Sequence, residues 1–421
     1  MSGPGDGEGR GGVGSPETGV PRIVDAEGVV FLGPGAMEIA PYRVDPPGPG
    51  EVRVRMAASG VCHSDLHVLD GDWTRPAPAV MGHEGAGWVE SLGPNPDANG
   101  PHVGDLVVLA WTAPCGRCAS CRRDEGWLCL DPAGSGHRLQ RGDVRIRRPD
   151  GAALGAYSGI GTLGSVQVVA ADAAIPVDPR TDPAVAALIG CAITTGVGAV
   201  TRTARVRAGE SVAVIGLGGV GLAAVLGARL AGARRIVAID RLAAKLDRAI
   251  ELGASDTVVA GANPAATAAA VRALIAGGGN GAGDPQAGGA SAARSAAEAP
   301  GTADGVDHAF ETSGTVSGVE TAMAVVRPGG TTVLVGMPAQ DARVGLDVYA
   351  FVESGARLLA SNYGSAIPAE IFPEIARHAI AGSLPFERLI EERIGLAGVR
   401  TAFDALRRGD GARRVVVFPS P

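Results

Sequence analysis

A glycine-rich turn near the middle of the chain limits the fold more than any other feature. Residues 216–221 read G-L-G-G-V-G, directly after a short buried strand predicted at 211–215 and before a helix predicted at 222–231. A further strand follows at 235–240, and the alternation of strand and helix continues beyond it. This alternation is typical of a doubly wound α/β fold built on a parallel sheet.

The same turn predicts a dinucleotide site. Gly216 makes the turn, Gly218 lets the backbone approach a pyrophosphate, and Gly221 lets the helix pack on the strand. Asp240 lies nineteen residues after Gly221, where it can accept both ribose hydroxyls and repel a 2′-phosphate. We therefore expect NAD rather than NADP, although the adjacent Arg241 could pair with that phosphate. The residues assigned to this site are Gly216, Leu217, Gly218, Gly219, Val220, Gly221 and Asp240.

A second group of residues predicts a catalytic metal. Residues 62–67 read C-H-S-D-L-H, which places a thiol, two imidazoles, a hydroxyl and a carboxylate in one short stretch. His83 stands next to Glu84, and Cys191 follows much later in an apolar stretch. Cys62, His83 and Cys191 would form a Cys₂His zinc site with an open fourth position, as catalytic zinc requires. Because a single buried cysteine or histidine is more often an ordinary core residue, this prediction depends on the set.

The other four cysteines predict a structural zinc. Cys115, Cys118, Cys121 and Cys129 follow the spacing C-x₂-C-x₂-C-x₇-C, and tetrahedral zinc satisfies four thiolates at once. Disulfides are the alternative for a secreted chain. Residues 1–21 lack the apolar segment of a signal peptide, so we expect a reducing, cytoplasmic compartment.

Composition excludes several other classes of protein. The formal net charge of −7, without a basic block, argues against nucleic acid and anionic membranes as partners. Two uncharged runs, 184–200 and 211–228, approach membrane-spanning length, but glycines and polar residues interrupt them, so we expect no membrane span. Residues 1–21 and 277–302 have no apolar periodicity and are predicted to be disordered.

Before the glycine turn the pattern is different. Residues 23–111 contain short alternating segments separated by Gly/Pro turns, which predict a β-rich domain. Residues 131–164 are rich in glycine and arginine and are predicted to form an irregular loop.

Taken together, these motifs resemble those of the zinc-dependent alcohol dehydrogenases of the medium-chain dehydrogenase/reductase superfamily, in the long-chain zinc form similar to classes I and III. C-H-S-D-L-H at 62–67, G-H-E-G-A-G at 82–87, the four-cysteine run, G-C-A-I-T-T-G at 190–196 and the glycine turn occur in the family's order. The resemblance implies a GroES-like β-rich catalytic domain and a Rossmann cofactor domain. It places the first at 22–192 and 362–421 and the second at 193–361.

The resemblance also implies a role for individual residues. Cys62, His83 and Cys191 match the catalytic zinc ligands, and Glu84 matches a carboxylate that can approach the metal. Ser64 and His67 match a proton relay. Further matches are to cofactor contacts at His63, Thr195, Lys245 and Arg413, and to the substrate pocket at Trp73 and Trp111.

The resemblance implies two zinc ions and NAD per chain, a small alcohol or aldehyde substrate, and a homo-oligomer, either a dimer or a tetramer. The leading function is reversible oxidation of a primary or secondary alcohol to an aldehyde or ketone, with hydride transferred to NAD. A formaldehyde dehydrogenase acting on S-hydroxymethyl thiols would use the same residues, as would an enzyme with tightly held NAD. A non-catalytic, zinc-stabilised NAD(H)-binding protein is the alternative of another class, but it predicts an eroded metal site.

Overall fold

A computed structural model describes residues 22–132, 144–276, 305–409 and 413–419. The two segments predicted to be disordered, 1–21 and 277–302, lie outside the described residues.

The chain alternates between strand-rich and helix-rich regions. The strands are β1 (Val24–Gly33), β2 (Ala36–Val44), β3 (Glu51–Gly60), β4 (Ala79–Val80), β5 (Gly85–Leu92), β6 (Leu106–Leu109), β7 (Ile146–Arg147), β8 (Ala153–Ala156), β9 (Val166–Ala170), β10 (Ala174–Pro176), β11 (Ser211–Ile215), β12 (Arg235–Asp240), β13 (Asp256–Val259), β14 (Val306–Glu311), β15 (Val326–Leu334), β16 (Arg357–Ala360), β17 (Glu392–Ile394) and β18 (Arg414–Val417). The α-helices are α1 (His63–Asp70), α2 (Pro183–Leu188), α3 (Thr194–Gly198), α4 (Gly219–Leu230), α5 (Ala243–Leu252), α6 (Pro264–Ala276), α7 (Val316–Val325), α8 (Val348–Ser354), α9 (Pro368–Ile380) and α10 (Val399–Arg408).

The first half of the chain forms a closed barrel of β1, β2, β7, β8 and β4 and, with two strands from the end of the chain, a seven-stranded sheet. In that sheet β10, β6, β5, β3, β18 and β17 lie side by side, and β9 also pairs with β3. The last strand, β18, comes from the end of the chain and runs antiparallel to β3, with Val415 opposite Gly60. The C-terminal segment therefore completes the sheet from which the C-H-S-D-L-H segment emerges.

The second sheet is parallel and has the order β13-β12-β11-β14-β15-β16. Numbered from β11, this is the order 3-2-1-4-5-6 of the Rossmann fold, whose ligands bind at the carboxyl ends of the strands, where the order reverses. The strands predicted at 211–215 and 235–240 occur with those bounds. The predicted fold class, a β-rich domain with a doubly wound parallel sheet, is confirmed.

A helix from Pro183 to Ala204 joins the two sheets. It contains α2 and α3, with turns of π-helix over Ile189–Ile193 and Ala199–Ala204. Within the described residues, it is the one helix long and apolar enough to cross a membrane, but 94% of its apolar window is buried inside the protein. One apolar core contains side chains of this helix together with side chains from both sheets, so the helix belongs to the protein interior.

Of the loop predicted over 131–164, residues 133–143 lie outside the described residues, and the prediction is wrong at two short strands. Strands β7 and β8 lie inside it, and they close the barrel through β2 and β4. Each has only a few residues, too few to show a period of two, and the pairing depends on partners far away in the sequence.

Candidate active site and metal centres

The C-H-S-D-L-H segment begins where β3 ends. Cys62 is the N-cap of α1, and its carbonyl accepts hydrogen bonds from the N–H groups of Asp65 at 3.2 Å and Leu66 at 3.3 Å. One turn of helix therefore holds the Cys62 thiol at the helix N-terminus, where backbone amides favour a thiolate. On the same helix the Asp65 side chain is buried, Ser64 and His67 are partly exposed, and His63 is exposed.

The structure brings the predicted catalytic ligands together. One donor atom from each of Cys62, His83, Glu84 and Cys191 lies within 4.8 Å of the others, and all four residues are buried. Cys62 and His83 come from the ends of strands in the first sheet, while Cys191 projects from the π turn of the joining helix. Turns of this kind are frequent at functional sites because they re-aim one side chain within a helix.

His83 has one ring nitrogen committed and one available. Its Nδ1 atom lies 3.0 Å from Oδ1 of Asp65, while Nε2 is buried and has no hydrogen-bond partner among the described residues. A carboxylate on one nitrogen, with the other free, is the usual arrangement of a zinc-bound histidine. The donors therefore fit a zinc ion.

The charges in this cluster also favour a cation. A hydrogen bond from the Cys191 thiol lowers the pKa of Cys62 well below its ordinary value, against the opposing effect of burial. Burial would lower the pKa of His83, but the Asp65 carboxylate and the two thiols raise it well above its ordinary value. The first shift favours a Cys62 thiolate, and the second shows that negative charge surrounds His83, so both suit a cation at this buried point.

Glu84 has both carboxylate oxygens engaged. Oε1 accepts a hydrogen bond from the Ala192 N–H at 3.2 Å, and Oε2 pairs with the Arg413 guanidinium. Burial raises the pKa of Glu84 to about 7, although Arg413 opposes the shift. In this arrangement Glu84 lies beside the cluster with its oxygens bonded to protein groups.

Arg413 connects the metal cluster to the glycine turn. A Cβ placed on Gly219 would lie 2.5 Å from Nη1 of Arg413, and the buried Nε of Arg413 has no partner among the described residues. Next to it, α4 begins at Gly219 with no side-chain cap. A guanidinium and uncapped helix amides at one point form a site for a phosphate anion.

The turn itself has the predicted glycine geometry. Gly216 has φ +88, and a Cβ on Gly221 would lie 1.9 Å from the Gly216 carbonyl oxygen, so neither position accepts a side chain without distortion. A Cβ on Gly218 would have nothing within 4 Å. Open space therefore lies in front of this turn, where a dinucleotide would need to approach.

Asp240 lies at the carboxyl end of β12, directly below the turn. Its two oxygens accept hydrogen bonds from the N–H groups of Leu217 at 2.8 Å and Leu242 at 3.0 Å, and Nζ of Lys245 lies 3.8 Å from Oδ2. Asp240 therefore supports the turn in addition to its predicted contact with the ribose. Lys245, the only lysine in the chain, is drawn toward this carboxylate, whereas Arg241 is exposed.

The two aromatic residues predicted to line the pocket each pack on another ring. The Trp73 ring stacks on His67, with centroids 4.8 Å apart. Trp111 packs on Tyr363 at 4.3 Å, and the Tyr363 hydroxyl donates to the carbonyl of Gly190, next to Cys191, at 2.6 Å. Thr195, predicted to lie near the nicotinamide, is buried one turn further along the same helix.

Sequence reasoning missed three residues near this site. Asp72 lies 2.7 Å from Nδ1 of His67, Tyr157 packs edge-on against His83 with centroids 5.6 Å apart, and Tyr363 supports Trp111. Asp72 could have been found from Gly71, because a glycine is the usual residue at a helix C-terminus and lets the chain turn back toward His67. The two tyrosines meet the site through long-range packing, for which a single sequence carries no signal.

The four remaining cysteines form a second cluster. Their sulfur atoms also lie within 4.8 Å of one another. Backbone N–H groups point at the sulfurs: that of Cys115 donates to Cys129 at 3.3 Å, and that of Cys121 donates to Cys118 at 3.4 Å. The amide of Cys121 and then that of Leu130 lower the pKa of Cys118 to about 6. Four thiols with amide donors fit a closed structural zinc site.

Comparison with known proteins gives a consistent result across the chain. Residues 48–179 match the family model described as alcohol dehydrogenase GroES-like domain, and residues 219–380 match the one described as zinc-binding dehydrogenase. The chain is 31% identical over 385 residues to an S-(hydroxymethyl)glutathione dehydrogenase of Synechocystis, covering 91% of this chain and 96% of that protein. It is 33% identical over 391 residues to a geraniol dehydrogenase of Castellaniella defragrans, covering 91% and 95%.

Comparison with solved structures gives the same result as comparison with sequences. A zinc-binding-domain alcohol dehydrogenase protein of Burkholderia ambifaria superposes with a TM-score of 0.83 at 29% identity, covering 94% of this chain and 100% of that one. Benzyl alcohol dehydrogenase of Acinetobacter calcoaceticus superposes with a TM-score of 0.81 at 25% identity, with the same coverage.

Proposed function

Since this chain belongs to the zinc-dependent alcohol dehydrogenases, oxidoreductases that use zinc and NAD, we propose that it oxidises flat, unsaturated or aromatic primary alcohols to aldehydes. The buried cluster of Cys62, His83 and Cys191, with Nε2 of His83 free, is the observation that carries this proposal. The intact cluster disfavours a non-catalytic NAD(H)-binding protein.

We assign the catalytic zinc to Cys62, His83 and Cys191, and the structural zinc to Cys115, Cys118, Cys121 and Cys129. When bound, the catalytic zinc supplies a Lewis acid that lowers the pKa of an alcohol. Asp65 holds His83 in the tautomer that leaves Nε2 free. Glu84, paired with Arg413, stands beside the cluster and is able to approach the metal only if that pair opens.

The cofactor would lie across the glycine turn, between the two sheets, where it supplies the hydride acceptor. Residues 216–221 and Arg413 would hold the pyrophosphate with help from His63, and Thr195 would pack near the nicotinamide. Asp240 and Lys245 would bind the adenosine ribose. Because Asp240 is held in place by two backbone N–H groups, its negative charge stays at the ribose position and disfavours a 2′-phosphate.

Ser64 and His67 would remove the proton of the substrate hydroxyl. Both lie on α1, next to Cys62, and both are partly exposed. A closed cleft excludes bulk water, so the proton needs a path through protein groups. In this path the Ser64 hydroxyl receives the proton first, and the imidazole of His67 accepts it as a general base.

Two indoles favour a flat substrate. By resemblance both line the substrate pocket, where Trp73 packs on His67 and Trp111 on Tyr363, and an indole offers a broad apolar face to a small unsaturated molecule. The relatives named for geraniol and benzyl alcohol act on primary alcohols with a flat unsaturated group next to the hydroxyl carbon. An S-hydroxymethyl thiol is the second candidate, because another relative is named for such a substrate and Arg75, 5.9 Å from the Trp73 ring, offers a cation for its carboxylates.

We further propose a homo-oligomer that forms through the edge of the parallel sheet. Strand β16 lies at the end of that sheet, and α8, which precedes it, exposes Val348 by 64%, Tyr349 by 78% and Val352 by 72%. Among the described residues β16 pairs on one side only, and a strand edge beside an exposed apolar helix is a surface that a second copy would cover by two-fold pairing. Tyr349→Glu should reduce the mass measured by light scattering to that of a monomer, whereas an unchanged mass would reject this interface.

We also propose the domain bounds and the cellular location. The catalytic part would comprise 22–192 with 362–421 and the cofactor part 193–361, which limited proteolysis would test. A cytoplasmic location is in keeping with six free cysteines, all assigned to metal.

The substrate proposal is tested by steady-state rates of NADH formation. We expect kcat/KM for benzyl alcohol and geraniol to exceed that for ethanol and for S-hydroxymethylglutathione. A higher value for the thiol adduct would favour the second candidate.

NAD that stays with the protein through gel filtration would show that the cofactor is tightly held.

A further inference from the structure

The chain turns back on itself directly after α1. The helix ends at Gly71, which has a left-handed conformation with φ 87 and ψ 6. As a result the Trp73 N–H donates to the carbonyl of His67 at 3.1 Å. Asp72 and Trp73 are therefore held next to the His67 side chain by the backbone itself.

Asp72 binds one nitrogen of His67. Its Oδ2 atom lies 2.7 Å from Nδ1 of the imidazole. A carboxylate accepts hydrogen bonds and donates none, so the neutral imidazole in this pair carries its proton on Nδ1. Nε2 is then unprotonated and able to accept a proton. Without Asp72, a neutral imidazole in water prefers the opposite tautomer, with the proton on Nε2.

Trp73 fixes the orientation of the same ring. The indole stacks on the imidazole with centroids 4.8 Å apart and an interplanar angle of 25°, and Trp73 is only 5% exposed. Its Nε1–H donates to the carbonyl of Pro338 at 3.0 Å, across 265 positions of sequence. Pro338 follows β15 of the parallel sheet, so this hydrogen bond joins the part that carries the metal cluster to the part that carries the glycine turn.

We propose that Asp72 and Trp73 are positioning residues for His67: Asp72 sets its tautomer, and Trp73 holds the ring in place through the hydrogen bond to Pro338. The inference rests on the proposed function, in which His67 accepts the proton of the alcohol. An imidazole that has to accept a proton at Nε2 needs its other nitrogen occupied by an acceptor. Since the pair is partly exposed, its effect lies in tautomer and orientation, with little contribution to stability.

The tautomer of His67 can be measured without catalysis. In ¹⁵N NMR spectra of the zinc-loaded protein without NAD, the neutral form of His67 should show a protonated Nδ1 and an unprotonated Nε2. Asp72→Ala should reverse this pattern, and Asp72→Glu should restore it in part. Asp178→Ala removes a carboxylate that bonds within its own exposed turn and serves as the control, with the wild-type pattern. A neutral His67 protonated at Nε2 in the wild type would overturn the proposal.

Steady-state kinetics test whether the positioning of His67 affects the rate of alcohol oxidation. Asp72→Ala should lower kcat for alcohol oxidation by about 10-fold, within the contribution of a general base, and leave KM within about twofold. Trp73→Phe keeps a stacking ring and removes the hydrogen bond to Pro338. It should lower kcat by about threefold, again within the general-base contribution, and leave the tautomer unchanged. A wild-type kcat in Trp73→Phe would reject the role of the Pro338 bond.

A double-mutant cycle separates this inference from the proposed function. In the His67→Gln background, Asp72→Ala should have no further effect on kcat, because the imidazole that Asp72 positions is gone. If His67→Gln itself leaves the rate unchanged, the role of His67 in the proposed function is wrong. If His67→Gln slows the reaction and Asp72→Ala lowers kcat equally in both backgrounds, the positioning role alone is overturned.

Discussion

Oδ1 of Asp65 lies 3.0 Å from Nδ1 of His83, and this contact determines which nitrogen of the histidine faces the metal cluster. The carboxylate is fully buried on α1, whereas His83 precedes β5, so the two elements meet through this pair. The buried carboxylate thus orients the imidazole so that Nε2 faces the other ligands.

Asp65→Asn should therefore weaken zinc binding at the buried cluster. Changes to such supporting carboxylates typically cost about 10- to 100-fold in metal affinity. Competition with a chelator would measure the loss, and the zinc of the four-cysteine cluster provides the internal reference. Equal retention of both zinc ions in the variant would show that Asp65 has no part in metal binding.

Cys118→Ser should remove the structural zinc alone. Metal analysis should find two zinc ions per wild-type chain and one in the variant, which should show mainly a lower melting temperature. The reason is that a closed four-thiolate site contributes to folding and takes no part in the reaction. A wild-type protein with a single zinc would contradict the assignment of two sites.

Asp240→Gly should raise the use of NADP relative to NAD, because it removes the ribose acceptor and the charge that repels a 2′-phosphate. It also removes the hydrogen bonds from Leu217 and Leu242, which should cost about 1–3 kcal/mol of stability. The ratio of kcat/KM for the two cofactors measures the first effect and thermal unfolding the second. If the wild type already prefers NADP and Arg241→Ala abolishes that preference, Arg241 controls the choice.

His67→Gln should slow alcohol oxidation most near neutral pH, by about 10-fold or more on general-base magnitudes. Rising pH should partly restore the rate, because hydroxide takes over proton removal. Ser64→Ala should be nearly inactive at every pH while keeping both zinc ions and its affinity for NAD. An equal relative rate of His67→Gln at low and high pH would show that the proton leaves by another route.

The sequence was most informative where local chemistry and local geometry coincide. The turn at residues 216–221 needs glycine at Gly216 for its positive φ and at Gly221 for its close approach, so residue types and backbone conformation predict each other. The four-cysteine run is equally local. Cys62, His83 and Cys191 could be grouped only by their chemistry and by family resemblance, because the packing of the two sheets brings them together.

Other features depend on contacts that no local pattern carries. Strands β7 and β8 exist because the barrel pairs them with β2 and β4, and the π turn that aims Cys191 has no recognised signature. Arg413 is a single residue in the sequence, yet it lies between Glu84 and Gly219 because β18 returns to β3. Pairing over such distances follows from the assembled fold.

The most direct test of whether the buried cluster carries the reaction compares wild-type protein with Cys191→Ser. The measured quantity is the rate of NADH formation with a panel of primary and secondary alcohols. The wild type should bind two zinc ions and oxidise alcohols. Cys191→Ser should keep the structural zinc and the fold. Its rate should be lower by about 1,000-fold or more, which corresponds to a loss of several kcal/mol of transition-state stabilisation. A Cys191→Ser protein that binds one zinc and still oxidises alcohols at the wild-type rate would contradict the role of this cluster.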